Sequence, residues 1–216
     1  MNHYNEFKRD ISQVLDFVIS SDPLHAKWLN TLSYLENCGA RKIAACQHPT
    51  LTREEMLKHA AEEFRHAHYL KKQISKVSAH DLEDYSRRHL LGGSASLHYL
   101  HQLDLKASRY LLKCMKLAKS EIRKIAYLLV TYAIELRAEE LYTTYDLALR
   151  SNGSKVKVKS ILLEEKEHLN EMIEAISQIP AGQESALEVC AMERNLCKLW
   201  MSKLMTELKL GGISDS

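Results

Sequence analysis

The chain has 216 residues, of which 45% are hydrophobic and 27% charged, with only 7 glycines and 3 prolines. This length suits one large domain or two small ones, and the composition is typical of a strongly helical globular protein. The formal net charge of +2 gives no electrostatic reason to expect a nucleic acid or a membrane surface as partner. No apolar run approaches the roughly 18 to 20 residues of a membrane span, and the N-terminus lacks a signal-peptide block, so we predict a cytoplasmic protein.

The cysteines give no sign of a disulfide framework. There are five, an odd number, and none lies in C-x-x-C spacing. We therefore expect reduced, mostly buried thiols and no zinc ribbon.

Helix punctuation is clear along the chain, and apolar residues recur with the 3.6-residue period of an α-helix. Ser21 and Pro23 favour a helix start, as does the capping box that Thr52 forms with Glu55. Ser120 can cap a later helix. In chain order, the predicted helices span about 4–19, 23–46, 53–76, 95–118, 121–150, 155–178 and 184–209. No segment alternates convincingly like a strand, so we predict an all-α protein.

The connections between these helices indicate their arrangement. The second and third helices, and the fifth and sixth, form two pairs with short connections, separated by a crossover over 77–120. Two antiparallel hairpins joined by one long connection describe a four-helix bundle. The run KVKVK at 155–159 alternates like a strand, but it follows a turn and precedes a helix, so we interpret it as a first helical turn. We expect one domain over 1–216, with the first and last helices flanking the bundle.

One motif occurs twice: EEFRH at 62–66 returns as EEKEH at 164–168. Residues three apart share a helix face, so Glu63 and His66 can approach one point, as can Glu165 and His168. A single E-x-x-H is usually a solvated pair of charges. Here, however, each copy lies on the second helix of a predicted hairpin, which predicts two halves of one metal site.

The first helix of each hairpin carries a matching carboxylate. Glu36 interrupts an apolar stripe 27 residues before Glu63, and Glu135 lies on an inner face 30 residues before Glu165. All of these residues fall near the midpoints of the four predicted helices, so they should meet in one layer. Because unpaired buried charges are costly, we predict bound cations in this layer. Four carboxylates and two imidazoles without a thiolate disfavour structural zinc and suit iron or manganese.

The chain resembles the ferritin-like superfamily of dinuclear carboxylate proteins, which place Glu on two helices and Glu-x-x-His on two others. The matching stretches are YLENCGA at 34–40, AEEFRHA at 61–67, YAIELRAEELY at 132–142 and LEEKEHL at 163–169. They cover the four core helices, about half of the chain.

The resemblance implies a site with two iron ions, or with manganese in place of one or both. It makes Glu63 and Glu165 bridging carboxylates, with the other ligands His66, His168, Glu36 and Glu135. Glu139, one turn beyond Glu135, is an alternative or additional ligand, because some rubrerythrin-like members carry an extra acid.

Several nearby residues receive a different interpretation. We expect Glu62 and Glu164 to be solvated or to hydrogen-bond to ligands. Four histidines lack repeated carboxylate partners, so we predict surface or crossover packing for His59, His68, His98 and His101. Tyr132 and Tyr142 fall near the predicted metals, where core packing is the default and hydrogen bonding to a ligand or radical chemistry is the alternative.

The resemblance implies an oxidoreductase that activates dioxygen for oxidation or oxygenation of a small organic substrate, with an unidentified electron donor. We expect a monomer or homodimer. The first alternative is an iron-binding or storage ferroxidase of ferritin or rubrerythrin type. The long crossover and last helix count against a ferritin cage, and the missing cysteine pairs count against a rubrerythrin. The second alternative is a non-catalytic helical interaction protein.

Overall fold

The computed structural model describes residues 5–48, 50–51, 53–79, 82–115 and 118–210. Within these ranges the chain forms α-helices and short 3-10 turns and no β-strand, which confirms the all-α prediction. The helices are α1 (Lys8–Ile19), α2 (Asp22–Cys46), α3 (Glu54–Gln73), α4 (Ser94–Cys114), α5 (Lys119–Ser151), α6 (Lys159–Ser177) and α7 (Gly182–Glu207). The 3-10 turns span Ile74–Lys76 and Arg87–His89. Among the described helices, none is long and apolar enough to cross a membrane.

The predicted helix starts differ from the observed ones by a few residues. Ser21 is the N-cap of α2 and Pro23 lies in its first turn, as predicted. α5 begins at Lys119, so Ser120, the predicted cap, lies inside the helix. The predicted capping box depends on Thr52, which lies outside the described residues.

The run KVKVK does not form the first turn of α6, which begins at Lys159. Val156 and Val158 are fully buried, whereas Lys155 and Lys157 are exposed. The segment is not helical before Lys159, and its two-residue period puts both valines on the core side. The prediction of a helical turn here is therefore wrong.

Two helix pairs form the centre of the molecule. α2 runs antiparallel to α3: Ser33 Oγ donates to the Ala67 carbonyl at 2.6 Å, and Lys71 Nζ donates to Asn30 Oδ1 at 2.6 Å. α5 packs along α6 as the second pair. These four helices surround a layer of buried acids and histidines.

The remaining helices cover this centre. α1 packs on α5, and α4 and α7 pack on each other and on α5. The Trp200 ring on α7 stacks between the rings of Trp28 and Tyr99, with centroids 6.0 and 5.4 Å away. This aromatic stack connects α7 to α2 and α4, so the last helix is part of the core.

Candidate metal centre

The six predicted ligands meet at one level of the molecule, each near the middle of its helix. We call this set the Glu63 cluster: Glu36, Glu63, His66, Glu135, Glu165 and His168. Five of them are buried, and the side chain of Glu36 is only 12% exposed. The prediction that they share one layer is confirmed.

A first ligand group consists of Glu36, Glu63, His66 and Glu165, each of which offers one atom within 4.8 Å of the others. His66 Nδ1 lies 3.0 Å from Glu165 Oε1. The same nitrogen lies 3.9 Å from Glu36 Oε2 and 3.9 Å from Glu63 Oε1. An imidazole and three carboxylates from α2, α3 and α6 therefore converge on one point.

A second ligand group consists of His59, Glu63, Glu135 and His168, again within 4.8 Å of one another. His168 Nδ1 lies 3.7 Å from Glu63 Oε1 and 3.7 Å from Glu135 Oε1. Glu63 belongs to both groups, and Glu165 Oε2 also approaches His168 Nδ1, at 3.8 Å. The two groups are thus adjacent and share a carboxylate.

The cluster fits bound metal ions by two tests. First, five buried atoms make no hydrogen bond of normal geometry among the described residues, although two of them, His66 Nδ1 and Glu165 Oε1, lie 3.0 Å apart as an ion pair. The five atoms are Glu63 Oε1, His66 Nδ1, Glu135 Oε2, Glu165 Oε1 and His168 Nδ1. Second, the separations of 3.0 to 3.9 Å match ligand atoms about 2.1 Å from one ion, which lie about 3.0 to 4.2 Å apart. Both observations fit a metal ion and leave the carboxylates poorly satisfied without one.

The first Glu of each E-E-x-x-H motif holds the histidine of the other motif. Glu164 Oε2 lies 2.8 Å from His66 Nε2, and Glu62 Oε2 lies 2.9 Å from His168 Nε2. Arg65 also donates to Glu164. Each outer nitrogen is thereby fixed, which directs each Nδ1 into the cluster. In this exchange between α3 and α6, the first Glu of each motif bonds to a histidine that is a predicted ligand, which gives a structural reason for the repeated motif.

In the metal-free protein, protons compensate part of the cluster's charge. Burial lowers the pKa of both histidines, but the Glu165 carboxylate outweighs it, raising the pKa of His66 to about 10 and of His168 to about 9. Burial raises the pKa of Glu36 and of Glu135 well above the usual value, and neighbouring carboxylates add to this effect. Burial acts the same way on Glu165, yet contacts with Glu135 and both histidines bring its pKa well below the usual value. The ligands thus carry protons that metal ions would displace.

Of the other predicted site residues, Tyr142 contacts the Glu63 cluster, whereas Tyr132 and Glu139 do not belong to it. Tyr142 is buried and donates a hydrogen bond to Glu36, as the ligand-bonding alternative predicted. Tyr132 lies beside Cys190, on the face of α5 that packs against α7, so the structure does not bring it to the cluster. Glu139 belongs to neither ligand group and lies 4.0 Å from Lys166 Nζ. The geometry therefore favours Glu135 over Glu139.

Three residues of the site were missed by the sequence analysis. His59 was assigned to surface or crossover packing, which is wrong: it is 2% exposed and its Nε2 lies 3.2 Å from Glu135 Oε1. Tyr127 lies next to it, with its hydroxyl 3.1 Å from His59 Nδ1. A Cβ on Gly39 would lie 3.1 Å from Glu63 Oε2, so this glycine makes room for the shared carboxylate. Spacing could have identified His59, which lies one helical turn before Glu63.

The other three histidines are exposed, as predicted: His68, His98 and His101.

A cavity of about 560 Å³ adjoins the second ligand group. His59 and Tyr127 line this cavity and also face the cluster, so they form the wall between the two. The apolar part of its lining comes from Cys46, Leu51, Met56, Leu128, Met172 and Ala175. Its volume lies within the range of small-molecule sites, which is roughly 300 to 1,000 Å³.

Comparisons with known proteins do not identify the function of the site, so its interpretation depends on the geometry described above. Searches against family models, curated proteins and solved structures found no match for this chain. The observations therefore describe a helical protein with a buried cluster of acids and histidines that could hold a metal ion.

Proposed function

We propose that this chain is a ferritin-like dinuclear carboxylate oxidoreductase that activates dioxygen to oxidise or oxygenate a small organic substrate. The observation that carries the proposal is the pair of ligand groups that share Glu63 and contain buried atoms without hydrogen-bond partners. The order of the helices also fits: α2 and α5 each supply a Glu, and α3 and α6 each supply Glu-x-x-His.

The ligand types support iron as the metal, with manganese in one or both positions as the alternative. The six predicted ligands offer carboxylate oxygen and imidazole nitrogen and no thiolate. Such a set suits iron or manganese better than structural zinc. The shared carboxylate supports two ions rather than one.

When two ferrous ions are bound, they supply electrons for the reduction of dioxygen. The protein contributes the surroundings. Glu62 and Glu164 fix the two imidazoles, and Tyr142 holds Glu36 with a hydrogen bond. The cavity beside His59 can hold an organic molecule next to the second ligand group.

The alternatives fit the structure less well. Iron oxidation for storage would use the same ligands, but it has no need of a cavity of this size beside them. A non-catalytic interaction protein would gain nothing from buried ligand atoms without hydrogen-bond partners, which are costly in a folded protein.

Oxygen consumption by the ferrous protein tests the proposal. The wild type, Glu165→Ala and Glu139→Ala are loaded with Fe(II) without oxygen and then exposed to oxygen under a chemical reductant. We expect oxygen uptake in the wild type and in Glu139→Ala, because Glu139 lies outside both ligand groups. Glu165→Ala should show almost none. Equal uptake in all three proteins would contradict the proposal.

The assembly state in solution separates the two redox functions. Storage of iron needs a closed shell of many subunits, whereas a substrate-oxidising enzyme does not. We expect size-exclusion chromatography with light scattering to show a monomer or homodimer. A shell of many copies would favour the ferroxidase.

A further inference from the structure

We propose that His59 is a seventh protein ligand, which binds the ion of the second ligand group through Nε2, and that Tyr127 fixes its ring for this purpose. The inference rests on the dinuclear site of the proposed function. It goes beyond that function because it makes the two metal positions chemically unequal.

The position of His59 is that of a ligand. Its Nε2 lies 3.2 Å from Glu135 Oε1 and 3.5 Å from Glu63 Oε1. Its ring lies against that of His168, with 4.1 Å between the centroids. The Nε2 atom therefore faces the same point as the other atoms of the second ligand group, and it approaches Glu135 more closely than His168 Nδ1 does, at 3.7 Å.

The outer nitrogen of the ring has its own partner. His59 Nδ1 lies 3.1 Å from the Tyr127 hydroxyl oxygen. If Nδ1–H donates to this oxygen, the neutral ring has its lone pair on Nε2, where an ion would lie. Tyr127 thus does for His59 what Glu164 does for His66, with a neutral group in place of a carboxylate.

The inner nitrogen faces only acceptors: among the described residues its hydrogen-bonding contact is with Glu135 Oε1, at 3.2 Å. Glu135 and Glu63 present carboxylate oxygens to Nε2, and carboxylates accept hydrogen bonds but do not donate them when ionised. A lone pair on Nε2 would face these oxygens unfavourably unless a proton or a cation lies between them. A shared metal ion satisfies all three groups at once.

The seventh ligand would make the metal positions different. The second ligand group then contains two imidazoles and the first only one, with Glu36 on the opposite side. The richer nitrogen set suits iron better than manganese, because manganese prefers oxygen ligands. His59 also lines the cavity, so the nitrogen-rich position is the one nearest to a bound substrate.

Titration of the metal-free full chain with Co(II) tests the inference without any activity measurement. Cobalt bound per chain is measured by equilibrium dialysis for wild type, His59→Ala, His59→Gln and Tyr127→Phe. His68→Ala is the matched control, because His68 is exposed on the same helix. Circular dichroism confirms that each variant is folded, and Gln at position 59 keeps most of the side-chain volume in case Ala does not fold.

We expect two cobalt ions per wild-type chain. Loss of His59 should leave the first ion in place and weaken the second more than about 100-fold. Loss of a residue that only orients a ligand costs about 10- to 100-fold, which is the expected range for Tyr127→Phe. Added imidazole should restore the second ion in His59→Ala, since it can occupy the vacated position. His68→Ala should behave like the wild type.

Two results would overturn the inference. The first is that both His59 variants bind two ions, with affinities within about 100-fold of the wild type. A loss of that size is expected from a residue that only orients a ligand. The other is a larger loss in His59→Ala that imidazole does not restore. Fewer than two ions in the wild type would instead overturn the proposed function itself, so the two failures are distinguishable.

Discussion

Two of the buried clusters of charge in the described part of the chain differ in their hydrogen bonding: the Glu63 cluster and a cluster around Arg137, Glu140 and Glu193. In the Arg137 cluster, the guanidinium donates to both oxygens of Glu193, at 2.9 and 2.8 Å, and also to Glu140. The Tyr99 hydroxyl donates to Glu193, and the Phe7 N–H donates to Glu140 at 3.0 Å. Each acid of this cluster receives donors from the protein, so the network needs no further partner.

In the Glu63 cluster, by contrast, the protein does not supply hydrogen-bond donors to all of the acids. It brings four carboxylates together with imidazoles whose outer nitrogens are already bonded, and several inner atoms have no hydrogen-bond partner within the described chain. Burial of charge is common to both clusters and therefore does not identify a functional site. Converging atoms without partners do, because they are costly unless something else binds them.

The largest effect on folding should come from the Arg137 cluster. Glu193→Ala removes the carboxylate that accepts two hydrogen bonds from the buried Arg137 guanidinium, and we expect a loss of about 3 to 5 kcal/mol in the free energy of unfolding. In the metal-free protein, Glu63→Gln should cost far less, because Glu63 Oε1 receives no hydrogen bond and its histidine contacts are 3.5 to 3.9 Å long. Urea denaturation of both variants measures the difference. Equal losses in the free energy of unfolding for the two variants would contradict the proposed difference between the clusters.

The doubled Glu offers a second test of the comparison. Glu164→Gln should weaken the ion held by His66, and Glu62→Gln the ion held by His168, each by about 10- to 100-fold. Glu167→Gln is the control, since Glu167 is exposed on the same helix as Glu164. Metal titration of the three variants measures these affinities. Unchanged affinities in Glu164→Gln and Glu62→Gln would show that the Glu–His contacts between α3 and α6 do not orient the rings.

The stability of the metal-free protein should fall as the pH rises. The pKa of His66 is raised from 6.5 to about 10 and that of His168 to about 9. Their contribution to stability is complete below about pH 6.5 and is lost as the pH rises through 9 and 10. The raised pKa values of Glu36 and Glu135 act in the same direction above pH 4.5.

Thermal unfolding between pH 6.5 and 10 measures this effect, with a chelator in one series and Mn(II) in the other. The melting temperature should decline in the chelator series. It should decline less with Mn(II), because metal ions displace these protons and bind more tightly as the pH rises. Parallel curves in the two series would contradict the account.

The smallest effect is expected from Gly39→Ala. Its new Cβ would lie 3.1 Å from Glu63 Oε2, so the shared carboxylate must shift by a few tenths of an ångström. We expect weaker binding of both ions, while the metal-free fold is unchanged or gains up to about 1 kcal/mol from the better helix former. Tighter metal binding than in the wild type would show that the space beside Gly39 is not needed.

Much of the site could be predicted from spacing, because the relevant contacts follow the helical period. Glu63 and His66 lie on one face for that reason, and the helix midpoints placed Glu36 and Glu135 at the same level. Contacts between helices could not be read in this way. The pairing of Glu62 with His168 depends on how α3 packs beside α6, which no single helix encodes.

The misses have physical causes of the same kind. His59 has its partners on α5, in Glu135 and Tyr127, so it looked unpaired when α3 was considered alone. Tyr132 was predicted to lie near the metals from its position on the helix. In the structure, α7 packs against α5, and Tyr132 lies beside Cys190 of α7. The KVKVK run followed its two-residue period because Val156 and Val158 fill the core.

The central claim is that the Glu63 cluster holds two metal ions. The most direct measurement is the number of Fe(II) ions bound per chain without oxygen, for the wild type and for Glu63→Gln, which alters the one residue common to both ligand groups. The account predicts two ions in the wild type and weakened binding of both in the variant. Two ions bound equally well by both proteins, or none bound by the wild type, would contradict it.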